Sequence, residues 1–396
     1  TKQLKELGFD YDWSKMIATS DPDFYHWTQW IFKQLYKDGY AKYVDMPVNW
    51  CEELGTVLSN DEVVDGKSER GGYPVIRKNM KQLCIDQAAF AERLLEGLNE
   101  IDWPESTKEM QRHWIGRSTG VEVQFEIVGG GKFSIFTTCI ETIYGITFMV
   151  LAPDGDLVQE LMPRIKNQDE VKAYIKETVS KSEMDRTELN KGKSGCRLEG
   201  IKAINPVNGK EVEVFIGDFV LANYGTGAVM AVPSHDQRDF EYAIAHNIDM
   251  IQVIEGQDVS EHAFEKQDYL GKGCKLINSE EFTGLTVEEA KVAITKKLVD
   301  MGIAKETVNY RFREWIFARQ RYWGEPVPIV HLEDGTDYVL PDEELPLILP
   351  ELEDYKGHNG KAPLENATQW KQYNQNGVKG VRETSTMPGS AGSDRK

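Results

Sequence analysis

An α/β fold is predicted by three features of the sequence. Residues 111–308 alternate between strand-like and helix-like patterns. Two segments carry explicit helix-start chemistry, at Asp21-Pro22 and at Thr286-Val287-Glu288-Glu289. The 396 residues are 40% hydrophobic and include nine Trp, enough to bury more than one core, and the length suggests two or three domains.

Residues 1–46 are dense in aromatics. From Asp23 to Leu35 the apolar residues Phe24, Trp27, Ile31 and Leu35 recur at helical spacing, with Asp21 as cap and Pro22 in the first turn. Residues 66–74 are turn-rich, and an amphipathic helix is expected over Asp86–Leu98. Val121–Val128 alternates as a half-buried strand, with Val121, Val123, Phe125 and Ile127 on one face. Phe133–Phe136, Thr147–Leu151 and Ala228–Val232 read as further strands, the last ended by Pro233. The capping box at Thr286 opens a helix carrying Ala290, Ile294, Leu298 and Met301, stopped by Gly302. Beyond residue 309 come a basic-aromatic run, Arg311–Trp323, and a proline-rich acidic loop, Leu340–Tyr355.

Composition narrows the function classes. No apolar run approaches membrane-spanning length, so no membrane partner is expected. The five cysteines, Cys51, Cys84, Cys139, Cys196 and Cys274, have neither disulfide-framework nor metal-cluster spacing, and a reducing cytoplasmic compartment is expected. The formal net charge of -19 argues against nonspecific nucleic-acid binding, although local basic patches can still serve one structured RNA.

Two segments concentrate functional groups. The first, Gly225-Thr226-Gly227-Ala228-Val229-Met230-Ala231-Val232-Pro233-Ser234-His235-Asp236-Gln237-Arg238-Asp239-Phe240, begins with small residues that allow close backbone approach. It then runs as a strand into a polar turn and a helix with Phe240, Ala243 and Ile244 on its inner face. Helix capping by Asp236 and dipole compensation by Asp239 would explain the acidic pair without any function. The second is Phe136-Thr137-Thr138-Cys139-Ile140-Glu141-Thr142-Ile143-Tyr144-Gly145. Three threonines within six residues are either turn chemistry or a ring of hydroxyls able to hold a water.

Taken together, in this order and about ninety residues apart, the two segments resemble the editing domain of leucyl-tRNA synthetases. Gly8–Trp13 followed by Trp27-Thr28-Gln29-Trp30 resembles the catalytic domain before that insertion. Trp114–Ser118 resembles its entry, and Arg319–Pro326 the return to the catalytic domain. Leu345–Leu347 and Glu383–Met387 continue the pattern, so the resemblance covers essentially the whole chain.

The resemblance implies a partial Rossmann-type catalytic domain with a parallel nucleotide-binding sheet, interrupted by a turn-rich lobe and a mixed, β-rich editing domain. The expected boundaries are 1–46 and 309–396 for incomplete catalytic portions, 47–113 for the lobe and connecting helix, and 114–308 for the editing domain. Such enzymes attach leucine to its tRNA with ATP and Mg and then hydrolyse wrongly charged product. One methylene is worth only about 1–3 kcal/mol, too little for a single pocket to reject isosteres. Carried over by motif, Asp239 holds the substrate α-ammonium, and Thr137 and Thr138 position the attacking water and terminal ribose. Thr142 excludes the leucine side chain. Tyr224, Met230 and Val232 line the pocket, beside His235 and Asp236. The partners implied are leucine tRNA through its acceptor 3′ end and, in the complete enzyme, leucine and ATP. A monomer is expected.

Four departures qualify the resemblance. Cys139-Ile140 stands where many relatives have Arg-Pro; Cys139 as a nucleophile would need a base such as His235 within reach, and a small buried thiol is the simpler reading. Where some relatives bind zinc, the chain has Cys51, Leu54, Ser68 and Gly71, so no zinc is expected. Leu83–Gln87 stands where relatives often carry an aromatic and a basic residue. Neither ATP-binding signature of the synthetase core is present; Arg319 and Arg321 are candidates for facing the synthetic site, or else solvated helix charges. The Trp-Thr-Gln-Trp run favours leucine over a valyl- or isoleucyl-tRNA synthetase fragment. A noncatalytic RNA-binding remnant and a plain small-ester hydrolase are the alternatives of other classes. This chain alone is predicted not to activate leucine. Leucine-dependent ATP–pyrophosphate exchange should stay at background, and exchange above background would refute the expectation.

Overall fold

The computed structural model describes residues 1–59, 62–64, 66–179, 186, 194–222, 226–312, 314–357 and 361–393. The chain divides into two units. One comprises residues 1–59, 70–90 and 313–396, and the other residues 60–69 and 91–312.

In the first unit, Pro22–Lys37 forms the predicted helix with Pro22 in its first turn. Asp21 occupies the cap position, but its side chain makes no capping hydrogen bond. The expected inward stripe is also displaced. Tyr25, Gln29 and Phe32 are buried, whereas Trp27 is 54% and Ile31 37% exposed. Gln29 explains the rotation. Its amide donates to Pro326 O (2.9 Å) and Leu347 O (3.1 Å), and its carbonyl accepts from Leu347 N (2.9 Å). A polar group that staples two distant segments turns the helix about itself, because a buried amide must be satisfied. Phe32 then stacks on Phe317 at 5.5 Å within a core that includes Ala41, Leu83, Val327 and Ile329.

The strand Ala41–Cys51 pairs antiparallel with Ile76–Ile85 over ten positions, Ala41↔Ile85 to Trp50↔Ile76. Thr56–Leu58 and Trp315–Ile316 flank this pair. A second antiparallel sheet joins Asp337–Val339, Ile329–Leu332, Val378–Arg382 and Gln372–Gln375. The α/β class holds, but the parallel nucleotide-binding sheet does not form among the described residues; the pairings of this unit are antiparallel. The Asp86–Leu98 helix is shorter than expected, a 3-10 turn at Ala88–Phe90 followed by Ala91–Gly97.

In the second unit, a seven-stranded sheet runs in the order Ala228–Ala231, Phe148–Leu151, Glu211–Gly217, Gly195–Ile204, Ser118–Ile127 and Ala304–Asn309, with Lys132–Thr137 paired to Ser118–Ile127. Among the described residues, the one parallel pairing of this sheet joins Glu211–Gly217 to Phe148–Leu151. Alternation places Val121, Val123, Phe125 and Ile127 inward as predicted, in a core that continues through Ile135, Val214 and Leu298. Thr286 closes the predicted capping box with Glu289, opening the helix Val287–Asp300. That helix packs on the turn Ile140–Gly145.

Replacing Gln29 with Leu would leave three buried backbone groups unmade, at a cost on the order of 3 kcal/mol. Seven of the nine tryptophans lie in the first unit. Denaturant unfolding followed by tryptophan fluorescence should therefore show a clearly lowered midpoint for Gln29→Leu.

Candidate active site

The polar turn after Ala228–Ala231 is folded tightly on itself. His235 N and Asp236 N both donate to Val232 O (2.8 and 3.1 Å). The helix Gln237–His246 then starts under a full N-cap, with Asp236 Oδ1 accepting from Arg238 N (3.0 Å) and Asp239 N (3.1 Å). One turn into the helix, Asp239 is 5% exposed, and its Oδ2 accepts from Val232 N at 2.9 Å. The carboxylate is thus held against Val232, the residue just after the strand Ala228–Ala231. On the helix, Phe240 and Ala243 face inward as expected, but Ile244 is 59% exposed. Tyr242 takes its place, because its ring stacks on Phe148 of the sheet at 5.2 Å.

His235 has a different environment from the one expected. Its Nδ1 lies 3.0 Å from Phe264 O, and its Nε2 accepts from Val253 N at 3.0 Å. These partners fix the Nδ1-protonated, neutral tautomer. Burial lowers its pKa to about 4. With both nitrogens engaged by backbone groups, the His235 ring ties its loop to Phe264 and Val253. The same geometry removes it as a base for Cys139.

The threonine segment ends the strand Lys132–Thr137 and continues into the 3-10 turn Ile140–Gly145, all of which is buried. Thr137 Oγ1 accepts from Cys139 N (3.0 Å), and Thr142 Oγ1 donates to Cys139 O (2.8 Å). Thr142 therefore has its hydroxyl proton engaged within the loop, and at 1% exposure it offers bulk more than polarity. Thr138 is the least buried of the three, with Oγ1 3.6 Å from Cys139 Sγ. Gly120 on the paired strand Ser118–Ile127 makes room for this strand end, since a Cβ there would lie 2.3 Å from Thr137 O.

The fold brings the two motifs together. Strands Lys132–Thr137 and Ala228–Ala231 come within 8 Å, Cα to Cα. Met230 is half-buried and packs against the main core of this unit, to which Val232, 7% exposed, belongs. Gly227, which precedes the strand, adopts φ 68°, where glycine is favoured, and its carbonyl accepts from Ala152 N (2.9 Å). Tyr224 and Gly225 lie outside the described residues.

Three further residues support the threonine turn and carry no local sequence signal for doing so. Lys291 Nζ donates to Thr138 O (2.9 Å), Asn205 Nδ2 donates to Ile143 O (2.9 Å), and Tyr269 OH donates to Glu141 Oε1 (3.2 Å). Each bond spans 62 to 153 residues, beyond the reach of periodicity.

Arg319 and Arg321 are not on a helix. Arg319 forms an isolated bridge with Thr386, and its guanidinium donates to Ile316 O (2.6 Å) and Ala318 O (3.1 Å). Arg321 O accepts from Thr386 Oγ1 (2.9 Å). Cys51 is fully buried at the end of its strand. Among the described residues, no group of three or more His, Cys, Asp or Glu side chains is placed to hold a metal ion. No helix among them is long and apolar enough to cross a membrane.

Acidification should weaken this unit through His235. The pKa of its ring is lower in the folded than in the unfolded chain, so stability is complete above about 6.5 and falls as pH drops toward about 4. The loss is on the order of 3 kcal/mol. Thermal melting of the parent and of His235→Gln across pH 7 to 4 should show a steeper decline in the parent; parallel curves would contradict the assignment.

Comparison with known proteins gives two matches. The family model described as "Leucyl-tRNA synthetase, editing domain" matches residues 112–299. The crystal structure of the ternary complex of Agrobacterium radiobacter LeuRS with tRNA and LeuAMS is similar to this chain, with a TM-score of 0.76 and 29% sequence identity. That similarity covers 99% of this chain and 46% of the solved one, so the present chain spans about half the length of that relative.

Proposed function

We propose that this chain, which belongs to the leucyl-tRNA synthetase family and carries that family's editing domain at residues 112–299, hydrolyses the ester of wrongly charged leucine tRNA. The supporting observation is the approach of the strand Lys132–Thr137, which ends at the threonine turn, to the strand Ala228–Ala231, which leads into the helix carrying the buried Asp239. A carboxylate held in low-dielectric surroundings suits a substrate α-ammonium, since charge-assisted hydrogen bonds are the stronger ones. Thr138, and Thr137 through the loop it shapes, would orient water and the terminal ribose. Thr142 would bar the leucine side chain by volume, while Met230, Val232 and Tyr224 would line the remaining wall. Asp236 would act through the helix cap that orients Asp239. The nucleophile in this reading is water, and no covalent enzyme intermediate is needed.

The parent enzyme would ligate leucine to leucine tRNA with ATP and Mg in the cytoplasm, as a monomer. In this chain the Arg319 guanidinium donates to the Ile316 and Ala318 carbonyls. The hydrolysis proposed here would use water and would require neither ATP nor zinc.

The direct test is deacylation of leucine tRNA carrying isoleucine or valine, with leucine-charged tRNA alongside. The parent should release the wrong amino acid selectively. Asp239→Ala should lower that rate about ten- to a hundredfold, the expected scale for losing a hydrogen bond to a charged group. Thr142→Ala should let correctly charged tRNA be hydrolysed. Tight tRNA binding without any deacylation would favour the RNA-binding remnant, and hydrolysis of simple aminoacyl esters alone would favour a plain hydrolase.

A further inference from the structure

Tyr269 is 1% exposed at the end of the short helix Lys266–Tyr269 and touches both halves of the site. Its hydroxyl donates to Glu141 Oε1 (3.2 Å), between Thr138 and Thr142 in the chain. Its ring meets the His235 ring edge-on, with centroids 6.0 Å apart at 85°. It also packs on Phe264 at 5.8 Å, the residue whose carbonyl faces His235 Nδ1. One side chain therefore spans from the threonine turn to the loop that leads into Asp236 and Asp239.

Glu141 is a costly choice for its position. It is fully buried, its Oε2 has no hydrogen-bond partner, and burial raises its pKa. Apolar anchoring alone was available, since the neighbouring Ile140 and Ile143 are also fully buried. A directional polar bond fixes orientation in a way that apolar packing does not.

We propose that Tyr269 and Glu141 form a positioning pair that holds the threonine turn at a set spacing from the His235–Asp239 segment. By that means the pair fixes discrimination between correctly and wrongly charged tRNA. The inference rests on the editing function proposed above. Neither residue is assigned contact with substrate.

The test uses the 396-residue chain and Tyr269→Phe, which removes only the hydroxyl. Two quantities are measured: the ratio of deacylation rates for isoleucine- against leucine-charged tRNA, and hydrogen–deuterium exchange across residues 137–145. In Tyr269→Phe the ratio should fall about two- to tenfold, the scale of one net hydrogen bond, and exchange in that segment should accelerate. Glu141→Gln keeps an acceptor for the phenol and should hold the ratio within about twofold of the parent. Equal loss of both rates, or a lower melting temperature alone, with unchanged exchange in 137–145, would overturn the pairing. If Tyr269→Phe does not fold, Glu141→Asp, which withdraws the carboxyl by one methylene, is read on the same two measures. If the parent hydrolyses neither tRNA, the editing function fails separately. The exchange result then decides the pair alone, with faster exchange upholding it and unchanged exchange overturning it.

Discussion

The site depends on one short interaction, the hydrogen bond from Val232 N to Asp239 Oδ2 at 2.9 Å. It ties the end of a strand to the first turn of the following helix across seven residues. A carboxylate at 5% exposure needs such hydrogen bonds, since a buried charge left without them is strongly unfavourable. Asp236 supports the same arrangement by capping the helix, and His235 by bonding Phe264 O and Val253 N. The turn is therefore held by bonds within its own sequence and by two remote backbone groups.

The second unit then supplies a partner surface for that turn. Pairing of Lys132–Thr137 with Ser118–Ile127 places the threonines at the strand end, and Gly120 lets the strands approach closely. The strand Ala304–Asn309 pairs with Ser118–Ile127 down to Asn309↔Ser118, so the segments that begin and end this sheet lie side by side. The helix Val287–Asp300 lies over the threonine turn and contributes Lys291 to it. Burial of Ile140, Ile143 and Tyr144 anchors the turn from beneath. The result is two polar segments, each internally hydrogen-bonded, fixed against one another by a shared apolar core.

Much of this was legible in the sequence where the signal is local. Period-two alternation located Val121, Val123, Phe125 and Ile127, and the capping box at Thr286 marked its helix start. Motif spacing paired the threonine segment with the Gly-Thr-Gly-Ala-Val segment. Local signals failed where a remote partner decided the outcome. Gln29 turned its helix by bonding Pro326 and Leu347, so Trp27 and Ile31 lie outward despite their spacing. Tyr242 displaced Ile244 by stacking on Phe148. The backbone partners of His235, Phe264 and Val253, are 29 and 18 residues away and leave no local sign in the sequence. Glu141, Lys291 and Tyr269 gave no local sign of their joint role.

The most direct measurement is a crystal structure of the chain with a nonhydrolysable adenosine analogue carrying an aminoacyl group at its ribose. The account predicts the α-ammonium nitrogen within about 3 Å of the Asp239 carboxylate, the distance of a charge-assisted hydrogen bond. It also predicts the amino-acid side chain against Thr142. An analogue bound with its ammonium away from Asp239, or at another face of the sheet, would contradict it.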